Sequence, residues 1–435
     1  YVTRDATWLD YEATVSTSAD QIPLAPGTRD STWTADGRRH VRFRTTAPTL
    51  GFFSFLSARY DVVRNTWTPA DTSLNRGRPV DIEIFHHPSH DYNVDRMVEA
   101  VKASLQYYTE HFGPYQSPEV RIAEFPRYAS FAQSFLGTIP YSESIGFIAR
   151  VDPETDIDYP YYVTAHEMGH QWWAHQVVSG PVWGATMLVE SLSQYSALMV
   201  MEETYGRDKM KQFLEYELDG YLSGRSAEPR EERPLMDAAA SQQYIHYEKG
   251  SLALYALKEY LGEDTVNRVL RDFLREHRYE QPPFTTSEAL VERFEAAAPD
   301  SLKGFVGDLF RKITFYDNRA VDATYTKTDD GRYRVDLTVQ ARKQQVDSLG
   351  ESAAEVPMDD VVEIGVFATD GEVGSDDQRT LYRKKHRLTE GEQTLSVVVD
   401  EKPARAGVDP YTLLIDRDTD DNLTAVTNAE GSSGE

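Results

Sequence analysis

The sequence predicts an α+β chain of more than one domain, with a β segment, a long α-rich segment and a second β segment in that order. Three observations carry this expectation. The chain has 435 residues, more than one hydrophobic core usually serves. Apolar and polar residues alternate before residue 88 and again after about 318, the period of half-buried strands. Between about 91 and 316 the apolar residues recur instead at helical spacing.

The early strands are "HVRFRTTAP" (40–48), "GFFSFLSARYDVV" (51–63) and "PVDIEIFHH" (79–87), separated by polar turns. No helix of useful length is expected before residue 91. In 91–112, Val94, Met97, Val98, Val101, Leu105 and Tyr108 follow one helical face, with Asp91 or Asn93 as N-cap and Gly113 and Pro114 as the stop. "EVRIAEF" (119–125) returns to a strand. Helices are expected over 160–177, 186–205, 207–218, 244–261, 264–277, 286–297 and 301–312. Beyond 318, Tyr333, Val335, Leu337 and Val339 alternate with polar residues, as do Val362, Ile364 and Val366, and Leu395, Val397 and Val399. This is a sandwich-like pattern. The domain expectation is an N-terminal β-domain over 1–88, incomplete at its start, a helical domain over 89–317, a β-sandwich over 318–425 and a flexible tail over 426–435.

Composition narrows the function. Apolar content is 40% and aromatic content 11%, as in folded globular proteins. A formal net charge of −26 argues against nucleic acid as a partner, because phosphate binding needs a basic surface. The absence of cysteine excludes disulfides and Cys-based zinc sites. No apolar run approaches a membrane span, so no membrane contact is expected from this stretch itself. The chain opens on Tyr1 without a signal-peptide pattern and reads as a processed piece.

Chemistry enters at "HEMGHQWWAH" (166–175). On a helix, residues four apart share a face, so His166 and His170 can turn a ring nitrogen to one metal ion. Glu167 falls beside such an ion rather than on it, where it can take a proton from a bound water. Three fixed letters alone leave an ordinary polar helix equally open. A catalytic zinc site also needs a third ligand. Glu190 is the sole carboxylate between 171 and 201, set among Leu188, Leu192 and Tyr195. It reads either as a solvent-facing side chain or as that ligand, and the second reading accounts for both histidines and the acid together.

"VTAHEMGHQWWAHQVVSG" with its downstream glutamate helix resembles the zinc aminopeptidases of the gluzincin group, which include aminopeptidase N and the leukotriene hydrolase. "QYIHYEKGSLAL" (243–254) is similar to the family's tyrosine and lysine-glycine segment, and "PYSESIGFIA" (140–149) to its exopeptidase strand. The resemblance runs over about 91–316. It implies a thermolysin-like, mostly helical zinc-peptidase domain flanked by the two β-domains. It further implies one zinc ion on His166, His170 and Glu190, Glu167 as general base, Tyr247 as donor to the oxyanion, and Glu143 helped by Glu190 as the group that binds the substrate amine. Three features depart from the family. Ser142, Ser144 and Pro140 replace a methionine, an asparagine and a glycine around Glu143. Nineteen residues separate His170 from Glu190, one more than usual, which implies a longer loop near Gly180–Gly184. The chain also ends in strands, not in an all-helical domain.

That ending, "VVVDEKPARAGVDPYTLLIDRDTDDN", resembles the peptidase portion fused to certain bacterial ABC-transporter permeases. It implies a native protein anchored in a membrane with this portion outside the cytoplasm, a cytoplasmic location being the alternative. The expected function is zinc-dependent removal of N-terminal residues from peptide substrates. The alternatives are a zinc endopeptidase of the same fold and a catalytically silent peptide-binding domain of a transport system. No oligomeric state follows from the sequence. Two weaker motifs remain. "HHPSH" offers His86, His87 and His90 as a second metal site, but its place at a strand-to-loop junction beside Pro88 favours a solvated loop. "DRDTDDN" lacks the glycine and final glutamate of a calcium loop.

Overall fold

The computed structural model describes residues 6–153, 156–347, 353–369, 371, 373–374 and 378–429. Residues 430–435 of the expected tail lie outside them. Contacts gather into two compact units. The first is Tyr1–Thr204 with Gly262–Ala297, and the second is Tyr205–Leu261 with Ala298–Glu435. The chain is an α+β multidomain protein that begins in β structure. Among the described residues, no helix is long and apolar enough to cross a membrane.

In the first unit, strands Glu12–Ser18, Arg38–Arg44 and Thr28–Ala35 form an antiparallel sheet. Two of these were not legible as strands, being rich in Thr, Ser and charge with little buried surface. The expected strand over 51–63 is two pieces, Leu56–Ala58 and Asp61–Trp67.

A four-stranded sheet follows. Val80–His86, Glu119–Phe125 and Thr138–Ser142 run parallel, and Asp61–Trp67 closes one edge antiparallel. Every residue of Glu119–Phe125 is buried, as expected for a central strand covered on both faces. Because Phe85, Ala123 and Pro140 are paired in register, the carboxyl ends of the three parallel strands emerge at one edge.

Helix α1 (Val94–His111) starts at Asn93, whose side chain does not cap the helix but donates to the carbonyls of Gly146 and Ala149. It packs on α2 (Tyr159–Gly169), with the Tyr108 hydroxyl donating to the Ala165 carbonyl at 2.9 Å. Asp158 caps α2 by accepting from Tyr161 N–H, and Pro160 occupies its first turn. The expected helix over 160–177 ends at Gly169, because the chain then folds into tight turns in which Ala174 takes φ 144°. Helix α3 (Leu192–Tyr205) is buried on all sides from Leu192 to Met201.

In the second unit, the helix expected to stop at 218 continues as α4 (Met210–Ala227) through Gly220 and Gly224. These glycines permit close approach and do not break the helix. A Cβ on Gly224 would lie 2.4 Å from Tyr244 Cβ, and one on Gly220 would lie 2.8 Å from Glu248 Cγ. Helix α5 (Gly250–Leu261) follows the segment that α4 packs against. The remaining helices are α6 (Glu263–His277) and α7 (Ser287–Ala297) in the first unit and α8 (Lys303–Phe310) in the second. The C-terminal strands form two sheets. One is built on Thr314–Lys327, Tyr333–Val346 and Gly391–Val399, and the other on Asp359–Phe367, Thr380–Thr389 and Arg405–Val408. Along Tyr333–Val346, the residues Val335, Leu337, Val339 and Ala341 are buried in alternation with half-buried neighbours.

Candidate metal centre

His166 sits in the last turn of α2 and His170 is its C-cap residue, still joined to the helix by His170 N–H donating to the His166 carbonyl at 3.2 Å. The i, i+4 relation of the two rings therefore survives the early end of the helix. Gly169 lets this turn lie against α3, since a Cβ there would stand 3.1 Å from Ser193 Cα. That approach places Ser193 and the preceding turn, which carries Glu190, over the two histidines.

Glu190 belongs to a π-helical turn, Met187–Ser191, which runs directly into α3. A π turn takes up one more residue than an α turn. Such a turn lengthens the path from His170 to Glu190 by one residue at its own position.

Glu190 Oε2 lies 3.4 Å from His166 Nε2 and 3.2 Å from His170 Nε2, and all three side chains are buried. A tetrahedral ion with bonds of about 2.0–2.1 Å separates its ligand atoms by about 3.3 Å, so these residues fit zinc. The second ring nitrogen supports this. His170 Nδ1 is 3.1 Å from the Trp173 carbonyl and 2.9 Å from Ser193 Oγ. A carbonyl only accepts, so Nδ1 carries a proton, which leaves Nε2 as the nitrogen that offers a lone pair to a metal ion once its own proton is lost. Glu167 is buried beside them with Oε2 lacking a hydrogen-bond partner among the described residues, and burial raises its pKa. Its backbone carbonyl is held by Ser134 Oγ at 2.9 Å.

Beside the ligands is a cavity of about 210 Å³, lined by Leu50, Phe52, Ser134, His175 and Val189 together with His170 and Glu190. His175 is buried, and that burial lowers its pKa to about 4, so the ring is neutral near pH 7. Ser193, Ser134, Leu50, Phe52 and Val189 are not marked by any sequence motif. Only their place next to the motif residues in space marks them.

Tyr247 lies in a second π-helical turn, Ile245–Lys249, in the second unit, and is half-buried. Lys249 anchors this turn by a buried ion pair to Glu232 at 2.9 Å, and Glu232 also accepts from Tyr221 Oη at 2.7 Å and Arg225 Nε at 2.6 Å.

Glu143 is not a strand residue. It is the first residue of the turn that follows Thr138–Ser142. Its Oε1 accepts from Arg127 N–H at 3.2 Å, and its Oε2 lies 3.8 Å from His90 Nδ1. The solvated-loop reading of "HHPSH" holds for exposed His87 but fails for the other two histidines. His86 is buried and donates to the His87 carbonyl, and His90 contacts Glu124 at 2.5 Å.

Residues 96–308 match the Peptidase family M1 domain. The chain is 25% identical to endoplasmic reticulum aminopeptidase 1 of Homo sapiens over 237 residues, 52% of this chain and 25% of that protein. It is 26% identical to the tricorn protease-interacting factor F2 of Thermoplasma volcanium over 207 residues, 46% of this chain and 26% of that one. The matches thus span about a quarter of the length of these curated relatives. Aminopeptidase A of Legionella pneumophila, solved in complex with aspartic acid, superposes with a TM-score of 0.61 at 17% identity, over 95% of this chain and 45% of that one. A mutant M1 zinc metallopeptidase from Deinococcus radiodurans gives 0.53 at 16%, over 70% and 64%. Both share the fold.

Proposed function

The chain carries a peptidase family M1 domain, and from that premise we propose that it is a zinc-dependent aminopeptidase that hydrolyses the N-terminal bond of peptides. The observation that carries this reading is the convergence of His166 Nε2 and His170 Nε2 on Glu190 Oε2, at 3.4 and 3.2 Å, with the buried Glu167 carboxyl alongside. His166, His170 and Glu190 would hold a zinc ion, which would supply Lewis acidity to the scissile carbonyl and the attacking water.

Glu167 accepts the proton of the attacking water and passes it to the leaving amine. Burial raises its pKa, which makes it a stronger base for the first step and a competent acid for the second. The Tyr247 hydroxyl donates a hydrogen bond to the oxyanion of the tetrahedral intermediate. Glu143, with Glu190, binds the substrate's α-ammonium by charge-assisted hydrogen bonds. The Arg127 N–H that it accepts holds its carboxylate in one orientation. We further propose the domain limits 88, 317 and 425, and membrane anchoring through an ABC-permease fusion outside this stretch.

The test is a matched pair of peptides, one with a free amino terminus and one acetylated, given to wild type and Glu143→Gln. Wild type should cleave the free peptide far faster. The substitution should lower kcat/KM on it by about 10- to 100-fold, the worth of one charge-assisted bond. Equal cleavage of both peptides by wild type would replace this reading with the endopeptidase. A zinc-loaded protein that binds peptides but cleaves neither would replace it with the silent binding domain.

A further inference from the structure

The parallel strands of the first unit bring a second set of metal-binding side chains to their shared carboxyl edge. His90 follows the strand Val80–His86, Glu124 is the penultimate residue of Glu119–Phe125, and Glu143 follows Thr138–Ser142. His90 Nδ1 is 2.5 Å from Glu124 Oε1 and 3.8 Å from Glu143 Oε2, and the three ligand atoms all lie within 4.8 Å of one another.

Glu124 makes this more than a surface cluster. Its side chain is 5% exposed, its other oxygen accepts from His87 N–H at 2.5 Å, and among the described residues it pairs with no lysine or arginine. A buried carboxylate without a permanent counter-charge carries a desolvation cost that a cation would relieve.

We propose that His90, Glu124 and Glu143 form a second site for a divalent cation. One imidazole and two carboxylates suit zinc or manganese. His90 binds through Nδ1 as a neutral ring: the ion takes the place of the proton that bridges Nδ1 and Glu124 Oε1, that proton passes through solvent to Nε2, and the 2.5 Å contact opens. The side chain of Arg127, 3.8 Å from Glu143, is 72% exposed and turns to solvent. An ion here takes the carboxylate that the aminopeptidase reading gives to the substrate ammonium. It therefore competes with free-amine peptides, a consequence that rests on that reading.

Metal content and calorimetric titration with zinc and with manganese, on the full chain, test the site. Wild type should take up two equivalents of zinc. His90→Ala and the near-isosteric Glu124→Gln should each keep one, with the second weakened tenfold or more, and His166→Ala should keep the other one. A single equivalent in wild type, or a second equivalent indifferent to both His90→Ala and Glu124→Gln, overturns the site. Thermal melts matched to wild type show that each variant is folded. Excess zinc should raise KM for a free-amine peptide in wild type and not in His90→Ala. If the second equivalent binds and KM does not move, the amine-binding role of Glu143 falls while the cation site stands.

Discussion

His170 Nε2 and Glu190 Oε2 stand 3.2 Å apart in a buried setting, and their pairing governs the charge of the site. Burial by itself lowers the His170 pKa, but the charge and hydrogen bond of Glu190 outweigh it and raise the value to about 9. Burial pushes Glu190 up, yet the two histidines hold it well below the usual carboxylate range. A metal ion needs His170 without that proton. Zinc uptake near pH 7 should therefore release about one proton, and the apparent affinity should rise about tenfold per pH unit up to about pH 9. Competition titrations against a chelator between pH 6 and 9 check this, and an affinity flat with pH contradicts it.

Glu167→Gln should retain zinc and lose turnover by about 10²- to 10⁴-fold. Amide and carboxylate are close in size, and the Ser134 bond goes to the Glu167 backbone, so the fold should persist. Substantial turnover in the zinc-loaded variant would remove Glu167 from the role of base.

Tyr247→Phe should lower kcat by about 10²- to 10³-fold with an unchanged melting temperature. The turn that carries it is held by Lys249 and Glu232, which the substitution leaves alone. A variant within a few-fold of wild type would make Tyr247 a packing residue.

Asp409 predicts a pH dependence of stability in the second unit. Burial pushes its pKa up to about 7, against the pull of two N–H groups, from Leu413 and Leu414, that its carboxylate accepts. The folded protein then holds a proton between about pH 4 and pH 7 that the unfolded chain has released. The stabilisation is complete below pH 4 and is lost as pH rises through 7. Asp416, raised to about 7 chiefly by burial, adds in the same direction. Tm should be higher at pH 5 than at pH 8, and the Tm of Asp409→Asn relative to wild type should move in the variant's favour over that range. A difference independent of pH counts against the assignment.

Long helices and the buried strands were legible because their apolar period survives in the chain, as in α1 and in Glu119–Phe125. Strands such as Glu12–Ser18 and Thr380–Thr389 were not, because each has a single buried residue and most of their side chains are polar or charged. At the metal centre, the histidines and both glutamates could be named from spacing and family likeness. Ser193 could not, since its role comes only from the approach that Gly169 permits. The grouping of His90, Glu124 and Glu143 was equally hidden. Each comes from a different strand end, and parallel pairing brings them together over a gap that no local pattern spans.

The π turn at Met187–Ser191 sets the phase of one helix against another part of the same chain. Below it, α3 is gripped on every side by the core, so its rotation is fixed from Leu192 to Met201. Within it, the chain must deliver Glu190 to His166 and His170. The turn acts as a vernier between two incompatible angular settings. Removing one residue from it would not shorten a loop. Loss of Ser191, the residue between Glu190 and α3, would turn Glu190 and the chain before it by about 100° relative to the core, carrying the carboxylate off the histidines while leaving the composition of the site unchanged.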